Sequence, residues 1–364
     1  MKISDVIGFL ETVFPLAYQE EYDNSGLLAG DPGKEIRSIL VTLDVTEKVL
    51  DEALDRDCNL IISHHPLVFK GLKSLSGDNF VSRILTRAIQ NDLALYSLHT
   101  NLDNSLAGLN SYLGKQLLMT DISILRPGKG QLSKLVTFCP SAHADKVRNA
   151  LFEAGAGHIG NYDCCSFNIS GKGSFRASDR ANPFVGGKNI LHFEEEVRIE
   201  VIFPGFLSGP LIRALKTSHP YEEVAYDIYP LSNENPVAGS GITGRLEKPV
   251  SAKLFLERVR RVLGIPVIRH SPLTEREVSR IALCTGSGSF LIPDAIRCGA
   301  DAFLTADLKY HDFFEAYPRI LLADIGHYES EQFSKDLIAT VLTEKFPTFA
   351  VLISKTNTNP VNYY

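Results

Sequence analysis

Apolar runs alternate with amphipathic segments in the first third of the chain. The strand-like runs are SILVTLDV, NLIISHH and LALYSLH, and the segments between them, TEKVLDEALDRDC and NFVSRILTRAIQND, have helical periodicity. Near-continuous apolar strands joined by helices are typical of a parallel sheet covered on both faces. The first fourteen residues add a helix, because their apolar positions share one helical face.

The last third repeats this alternation. VSRIALCTG, DAFLTAD, RILLADIGH and FAVLIS are strand-like, PDAIRCGA and KYHDFFEAYP are helical, and YESEQFSKDLIATVLTEKF has the spacing of one long helix. We therefore predict α/β structure at both ends of the chain, with parallel-rich sheets.

The middle of the chain has a different order. KLVTFCP, a helix, YDCCSFNISG, VRIEVIFP, a second helix and EVAYDIYPL form a βαββαβ sequence, which is the ferredoxin-like α+β unit. GKGSFRASDRANPFVGGKN lacks apolar periodicity and predicts a long mobile loop between the second and third strands. We expect a discontinuous α/β domain of residues 1–127 and 235–364, interrupted by an inserted ferredoxin-like domain of residues 128–234.

Composition narrows the class of protein. With 44% hydrophobic and 22% charged residues in 364, the chain has the composition of a folded globular protein. A net charge of −6 makes nucleic acid an unlikely main partner. No segment has the length of a membrane span or the pattern of a cleaved signal, and the six cysteines lack CxxC spacing. We expect a cytoplasmic protein with reduced, mostly buried thiols.

Three pairs of potential metal ligands follow strand-like runs. They are the vicinal His64 and His65, the pair His99 and Asp103, and the pair His327 and Glu331. The carboxyl ends of parallel strands meet at one edge of a sheet, so we expect these side chains to converge at the edge of one sheet and to bind metal. Adjacent strand residues point in opposite directions, which suits His64 and His65 to two different ions.

Each of these signals has a simpler alternative. A single histidine at a strand end is often a hydrogen-bonded structural residue, Asp103 could cap a helix, and Glu331 could be a solvated carboxylate in a first helical turn. Asp307 and His311 either orient the metal ligands through hydrogen bonds or form a helix start with a buried histidine. The convergence of all three pairs favours a metal site.

A fourth sequence feature is a candidate anion-binding segment. The Gly/Ser segment at Thr285, Gly286, Ser287 and Gly288 leads into a helix and could offer backbone N–H groups, although such a segment is often only a turn. Three of the four imidazoles together with the two carboxylates would suit Zn, Mn, Fe or Co better than Mg or Ca. Two such ions would leave about two positive charges uncompensated, which indicates an anionic, phosphorylated ligand.

Several motifs together resemble the Nif-three-like family, also known as GTP cyclohydrolase I type 2 homologues. They are DNSGLLAG, SHHP, HTNLD, TGSGSF, DAFLTADLKYH and DIGHYESE, and HPYEEVAYDIYPL resembles the PII- and CutA-like insert of the longer bacterial members. The resemblance implies one metal ion on His65 and Asp103, a second on His64 and His327, and Glu331 bridging both. It also implies a homohexamer of stacked trimers.

Two functions follow from these expectations. The first is a metal-dependent hydrolase acting on a nucleotide or another phosphorylated compound, with His99 positioning water or ligand and the Thr285–Gly288 segment near phosphate. The second is a regulatory or ligand-binding hexameric scaffold in which the two metal ions are structural and no substrate is turned over.

Overall fold

The computed structural model of the protein describes residues 1–273 and 275–364. Its strands are β1 (Gly26–Ala29), β2 (Ile39–Thr42), β3 (Leu60–Ser63), β4 (Ala94–Ser97), β5 (Met119–Lys129), β6 (Leu132–Pro140), β7 (Phe167–Arg176), β8 (Leu191–Pro204), β9 (Tyr226–Pro230), β10 (Glu234–Ser251), β11 (Arg269–His270), β12 (Glu277–Ser287), β13 (Ala302–Ala306), β14 (Leu321–Asp324) and β15 (Val351–Ile353). Its α-helices are α1 (Ile3–Val13), α2 (Glu47–Asp55), α3 (Phe80–Gln90), α4 (Thr100–Asn104), α5 (Leu109–Gln116), α6 (Ala144–Glu153), α7 (Ser208–Ser218), α8 (Ala252–Leu263), α9 (Ile292–Arg297), α10 (Asp312–Ala316), α11 (His327–Glu331) and α12 (Ser334–Lys345).

These elements form two compact units. The outer unit comprises Met1–Pro127 and Val237–Tyr364, and the middle unit comprises Gly128–Pro236. The chain passes between the units twice, at residues 127–128 and 236–237. Each crossing lies within a continuous strand, β5 and β10 respectively, and not in a loop. The Gly/Pro-containing stretches at these positions therefore lie in extended strands, where isolated Gly and Pro residues are tolerated at edges and irregularities.

The outer unit contains two parallel-rich sheets, so the predicted mixed α/β class is confirmed. The first has the order β1-β4-β3-β2-β15, in which β4, β3, β2 and β15 are parallel and β1 is antiparallel. The second has the order β11-β14-β13-β12-β10-β5, with β12, β13 and β14 parallel. The expectation of one sheet was wrong, because strand-like runs identify strands but not their pairing partners.

Buried strands fix the positions of the loops that follow them. All four residues of β2, β3, β4 and β14 are buried, which explains their continuous apolar sequences. Helix α1 packs Ile3, Val6 and Leu10 against the first sheet. Thr46 caps α2 by accepting a hydrogen bond from the Val49 backbone N–H. The carboxyl ends of these strands therefore provide a rigid support for the polar residues beyond them.

The long helix predicted near the C-terminus is divided into α11 and α12. The break at Gln332 and Phe333 is slight, since their φ/ψ angles of −55°/−24° and −70°/−12° stay close to helical values. The apolar spacing therefore continues through the break, and the sequence pattern does not reveal it.

The middle unit has the element order β6-α6-β7-β8-α7-β9. Its strands form an antiparallel sheet of order β7-β8-β6-β9, and α6 and α7 pack on one face through a shared apolar core. The predicted loop after the second strand is shorter than expected. Its first six residues, 171–176, belong to β7, whose mostly exposed side chains leave no apolar periodicity in the sequence.

Two further expectations concern the thiols and membranes. All six cysteines are free, as predicted, but three rather than most of them are buried: Cys58, Cys139 and Cys284. Among the described helices, none is both long enough and apolar enough to cross a membrane.

Candidate metal centre

The ligand-type side chains selected from the sequence converge at the carboxyl ends of strands from both sheets of the outer unit. His64 and His65 follow β3, and their backbone N–H groups donate to the carbonyls of Thr42 and Leu43, which continues the pairing with β2. His99 precedes α4, and Asp103 lies within that helix. His327 and Glu331 are the first and last residues of α11, directly after β14.

Glu331 lies at the centre of this cluster. Its Oε2 is 2.8 Å from Nε2 of His65 and 3.0 Å from Nε2 of His327, and its Oε1 is 3.8 Å from Nε2 of His64. Asp103 approaches the same atom of His64, with its Oδ1 3.7 Å from Nε2. The Glu331 side chain is only 4% exposed, so the alternative of a solvated carboxylate is wrong.

The distances divide these residues into two groups that share Glu331. The possible ligand atoms of His64, Asp103 and Glu331 lie within 4.8 Å of one another, and so do those of His65, His327 and Glu331. This division differs from the one implied by the family resemblance, which pairs His65 with Asp103 and His64 with His327. His99 forms a third overlapping group with His64 and His65.

The residues fit a metal ion. His64 Nε2 and Asp103 Oδ1 are buried and have no hydrogen-bond partner among the described residues, an arrangement that is costly unless a cation binds both. A Cβ built on Gly286 would lie 2.1 Å from Oε1 of Glu331, so the backbone beside the carboxylate has room for no side chain. The mixed nitrogen and oxygen donor set is typical of transition-metal sites.

Electrostatics distinguish the two groups. Burial raises the pKa of Asp103 well above its usual value, with Glu331 adding to the effect, and burial lowers the pKa of His64. Burial also acts to lower the pKa of His65, but hydrogen bonds to Asp44 and Glu331 outweigh it and raise that pKa to about 10. Burial therefore disfavours the charged forms of His64 and Asp103. A bound cation would offset the cost of burying the ionised Asp103 carboxylate.

An oxygen atom orients every histidine of the cluster through Nδ1. The Leu98 carbonyl accepts from His64 at 2.8 Å, Asp44 contacts His65 at 2.7 Å, Asp23 contacts His99 at 2.8 Å and Asp307 contacts His327 at 2.7 Å. Such contacts fix the ring orientation and leave Nε2 available as the ligand atom.

Only part of this set of orienting residues was predicted from the sequence. Asp307 contacts His327 as one alternative proposed, whereas the His311 ring packs against Tyr310 and Phe314 and makes no contact with the cluster in the described residues. Asp44 was missed, although it follows the carboxyl end of β2, and that position was the signal used for the other candidates.

We expect Asp44→Ala to weaken metal binding about 10- to 100-fold, because His65 would lose the carboxylate that orients its ring. Competition titration with a chelator of known affinity measures this. Asp51→Ala, which removes an exposed carboxylate from α2, is the control and should bind metal as the unmodified protein does. Equal affinities of the two variants would contradict an orienting role for Asp44.

The Gly/Ser segment has fewer open N–H groups than the anion prediction requires. Thr285 donates its N–H to Oδ1 of Asn110 at 2.8 Å, and Gly286 donates to Oγ of Ser330 at 3.1 Å. Both residues also lie in β12 rather than in a turn, as does Ser287, which pairs with Ala306 of β13. Of the four residues, Gly288 alone lies outside the strand, so the segment offers little open backbone to an anion.

The orienting carboxylates also change the charge balance. With Asp103 and Glu331 alone, two divalent ions would leave excess positive charge, as predicted from the sequence. Asp23, Asp44 and Asp307 contact the histidines directly and bring the number of carboxylates to five, against the four positive charges that two such ions would carry. A site with two ions would therefore be close to neutral, and its attraction for an anion would be smaller than two ligand carboxylates suggest.

A cavity of about 280 Å³ opens onto the cluster. His65, His99 and Glu331 line it, and aromatic side chains form part of its wall. Those aromatic residues are Tyr22, Phe69 and Phe290. This volume lies just below the range of about 300–1,000 Å³ for small-molecule sites, and the cavity gives a small molecule access to the cluster.

Comparison with known proteins gives consistent matches over nearly the whole chain. Residues 1–360 match the family model described as Duf34/NIF3 (NGG1p interacting factor 3). The chain is 38% identical to the GTP cyclohydrolase 1 type 2 homolog of Halalkalibacterium halodurans over 371 residues, covering 100% of both chains. It is 38% identical to the protein of the same name from Bacillus subtilis over 365 residues, covering 98% of this chain and 97% of that protein.

A solved structure matches equally well. The crystal structure of a Bacillus cereus protein related to NIF3 superposes with a TM-score of 0.86 at 34% identity, covering 100% of this chain and 99% of that chain.

Proposed function

The chain belongs to the Duf34/NIF3 family, and on this premise we propose that the cluster around Glu331 holds two divalent transition-metal ions, Zn, Fe, Mn or Co. His64 and Asp103 would hold one ion, and His65 and His327 the other. Glu331 would contribute one carboxylate oxygen to each. The observation that carries this proposal is that its two oxygens face two different ligand groups.

We further propose that the protein is a metal-dependent hydrolase of a nucleotide or another small phosphorylated compound. The relatives' name and the cavity beside the cluster support this proposal. When bound, divalent ions supply Lewis acidity and activate water at neutral pH. His99, held through Nδ1 by Asp23, is placed to position water or substrate from the cavity side, and Ser287 lines the same cavity.

A turnover screen tests the hydrolase proposal. Protein loaded with Zn, Mn, Fe or Co is assayed against GTP, other nucleotides and simple phosphoesters, and products are separated by chromatography. We expect turnover of at least one compound by one metal form, and loss of that turnover in Glu331→Gln. Binding without turnover in every metal form would reject the hydrolase and favour the second candidate.

The second candidate is a regulatory or ligand-binding scaffold with structural metal ions. The near-neutral charge balance favours it, because carboxylates of the protein itself satisfy much of the metal charge. Calorimetric titration with phosphate separates the two. A catalytic site for anions should bind phosphate more tightly in the metal-loaded protein than in the stripped, folded protein. A scaffold should show equally weak binding in both.

We propose that the middle unit is an inserted ferredoxin-like domain that folds independently of the outer unit. Its complete βαββαβ order, its sheet order and its own apolar core support this proposal. The family resemblance further suggests a homohexamer of stacked trimers, and a molar mass about six times that of the 40.2 kDa chain in light scattering would test it.

Replacing residues 128–236 with a short Gly/Ser linker should give a protein that folds and still binds metal. The cut ends belong to β5 and β10, which are neighbours in one sheet, so a short turn can join them. Circular dichroism, thermal unfolding and elemental analysis check the expected result. A truncated chain that neither folds nor binds metal would show that the middle unit is part of the outer unit's core.

A further inference from the structure

A second cavity lies in the middle unit and not at the metal cluster. It has a volume of about 660 Å³, within the range typical of small-molecule sites. Its floor is the face of the β7-β8-β6-β9 sheet opposite to α6 and α7. Ile199, Val201 and Phe203 of β8 pack into the core with the helices, whereas the alternating Glu196 and Arg198 line the cavity.

Two glycines of β7 create space on this floor. Gly171 and Gly173 lie two residues apart on the cavity side, and both line it. A Cβ on Gly171 would meet no atom within 4 Å, so any side chain there would project into open space. A Cβ on Gly173 would lie 2.1 Å from Oε2 of Glu196, so this glycine makes room for that carboxylate. Glycines inside a strand often mark the close approach of a ligand.

Aromatic side chains form the walls around the Glu196 carboxylate. Tyr221 donates its hydroxyl hydrogen to Oε1 of Glu196 at 2.9 Å. The Tyr221 ring centroid lies 6.0 Å from that of Phe175 and 6.3 Å from that of Phe184. Phe138 also lines the cavity. A carboxylate held among aromatic faces is an arrangement that binds organic cations.

The charges of the cavity also favour a cation. The lining carboxylates Glu196, Glu222 and Glu223 have no cationic partner within 4 Å among residues 1–273 and 275–364. The two lining cations are paired elsewhere: Lys172 lies 3.7 Å from Glu195, and Arg198 Nη2 lies 2.7 Å from Glu200. Phosphates and other anions would meet unneutralised carboxylates here, so the ligand differs from the one proposed for the metal cluster.

The cavity therefore offers aromatic contact and negative charge to the same molecule.

We propose that this cavity is a second ligand site, which binds a small aromatic amine: the ring packs against the aromatic walls and the protonated nitrogen lies near the carboxylates. The site belongs to the middle unit alone and does not depend on the metal centre. Its occupancy would give that unit a ligand-sensing role of its own.

Three probes of nearly equal size test the charge preference: tyramine, tyrosol and 4-hydroxyphenylacetate, which share a phenol ring and carry a positive, a neutral and a negative group. Calorimetric titration of the full chain should show saturable binding of tyramine, about tenfold weaker binding of tyrosol, and no binding of 4-hydroxyphenylacetate. Equal binding of all three, or binding of none, would overturn the proposal. A second copy of the chain filling the cavity would give the latter result.

Variants with matched controls locate the site. Gly171→Leu should abolish tyramine binding because its side chain fills the cavity, whereas Gly209→Leu, at an exposed position of α7, should bind normally. Glu196→Gln keeps an oxygen for Tyr221 but loses the charge, so tyramine binding should weaken about tenfold. Glu153→Gln, which removes an exposed carboxylate from α6 on the opposite face of the sheet, should not change it. Unchanged binding in Gly171→Leu would place tyramine elsewhere and reject the proposed site.

Metal removal separates this proposal from the proposed hydrolase. The tyramine titration is repeated after treatment with a chelator, with circular dichroism as the check that the protein stays folded. Binding should be unchanged, since no cavity residue belongs to the metal cluster. Tyramine binding that requires metal would overturn the second site, whereas loss of hydrolase activity alone would leave it intact.

Discussion

Replacing Glu331 with glutamine should remove more than half of the transition metal that the protein binds. The residue contacts both ligand groups, so loss of its charge weakens both proposed ions at once. Glutamine has nearly the same shape and leaves the packing around α11 unchanged. Elemental analysis of protein purified with added Zn or Mn, divided by chain concentration, gives the measurement. The unmodified protein should hold about two ions per chain.

Glu329→Gln is the matched control for this change. Glu329 lies on the same short helix and is also buried, but it accepts a hydrogen bond from Asn359 and belongs to neither ligand group. We expect its metal content to equal that of the unmodified protein. Full metal occupancy in Glu331→Gln would refute the shared carboxylate. Equal metal loss in both variants would show that metal binding depends on the packing of α11 and not on the charge of Glu331.

The convergence of His64, Asp103 and Glu331 could be predicted from the sequence because it follows from local rules. Each lies just beyond a buried apolar strand, and such strands have recognisable sequences. Which strands share a sheet depends on contacts between distant segments, and no local pattern records them. The cluster therefore lies between two sheets, not at the edge of one.

The division of ligands into two groups could not be predicted for a similar reason. The vicinal histidines indicated two directions, but which partner each meets depends on how α11 and α4 approach β3. The structure places Asp103 beside His64 and His327 beside His65. The local sequence pattern thus predicted which residues belong to the cluster. Which of them lie together in each ligand group depends on the arrangement of the two sheets.

The middle unit shows a second limit of sequence patterns. The order of its strands and helices along the chain could be predicted. The outer half of the β7–β8 hairpin could not, because exposed strands lack the alternation of apolar and polar residues that marks a half-buried sheet. Gly173 was assigned to a loop for that reason, and Gly171 stood at the end of the predicted strand. In the sheet, both glycines line the cavity of the middle unit.

Replacing Gly286 with alanine should abolish metal binding while leaving the protein folded. Gly286 has a φ of +61°, and an added Cβ would lie 2.1 Å from Oε1 of Glu331. The methyl group must push the carboxylate away from His64, while the strained backbone costs about 1–2 kcal/mol. Gly264→Ala separates the two effects, because Gly264 has a φ of +68° and an added Cβ there would meet no atom within 4 Å. Thermal unfolding should show similar destabilisation of both metal-free variants, and elemental analysis should show metal loss in Gly286→Ala alone. If both variants keep their metal, the position of the Glu331 carboxylate does not control binding, and the proposed centre is wrong.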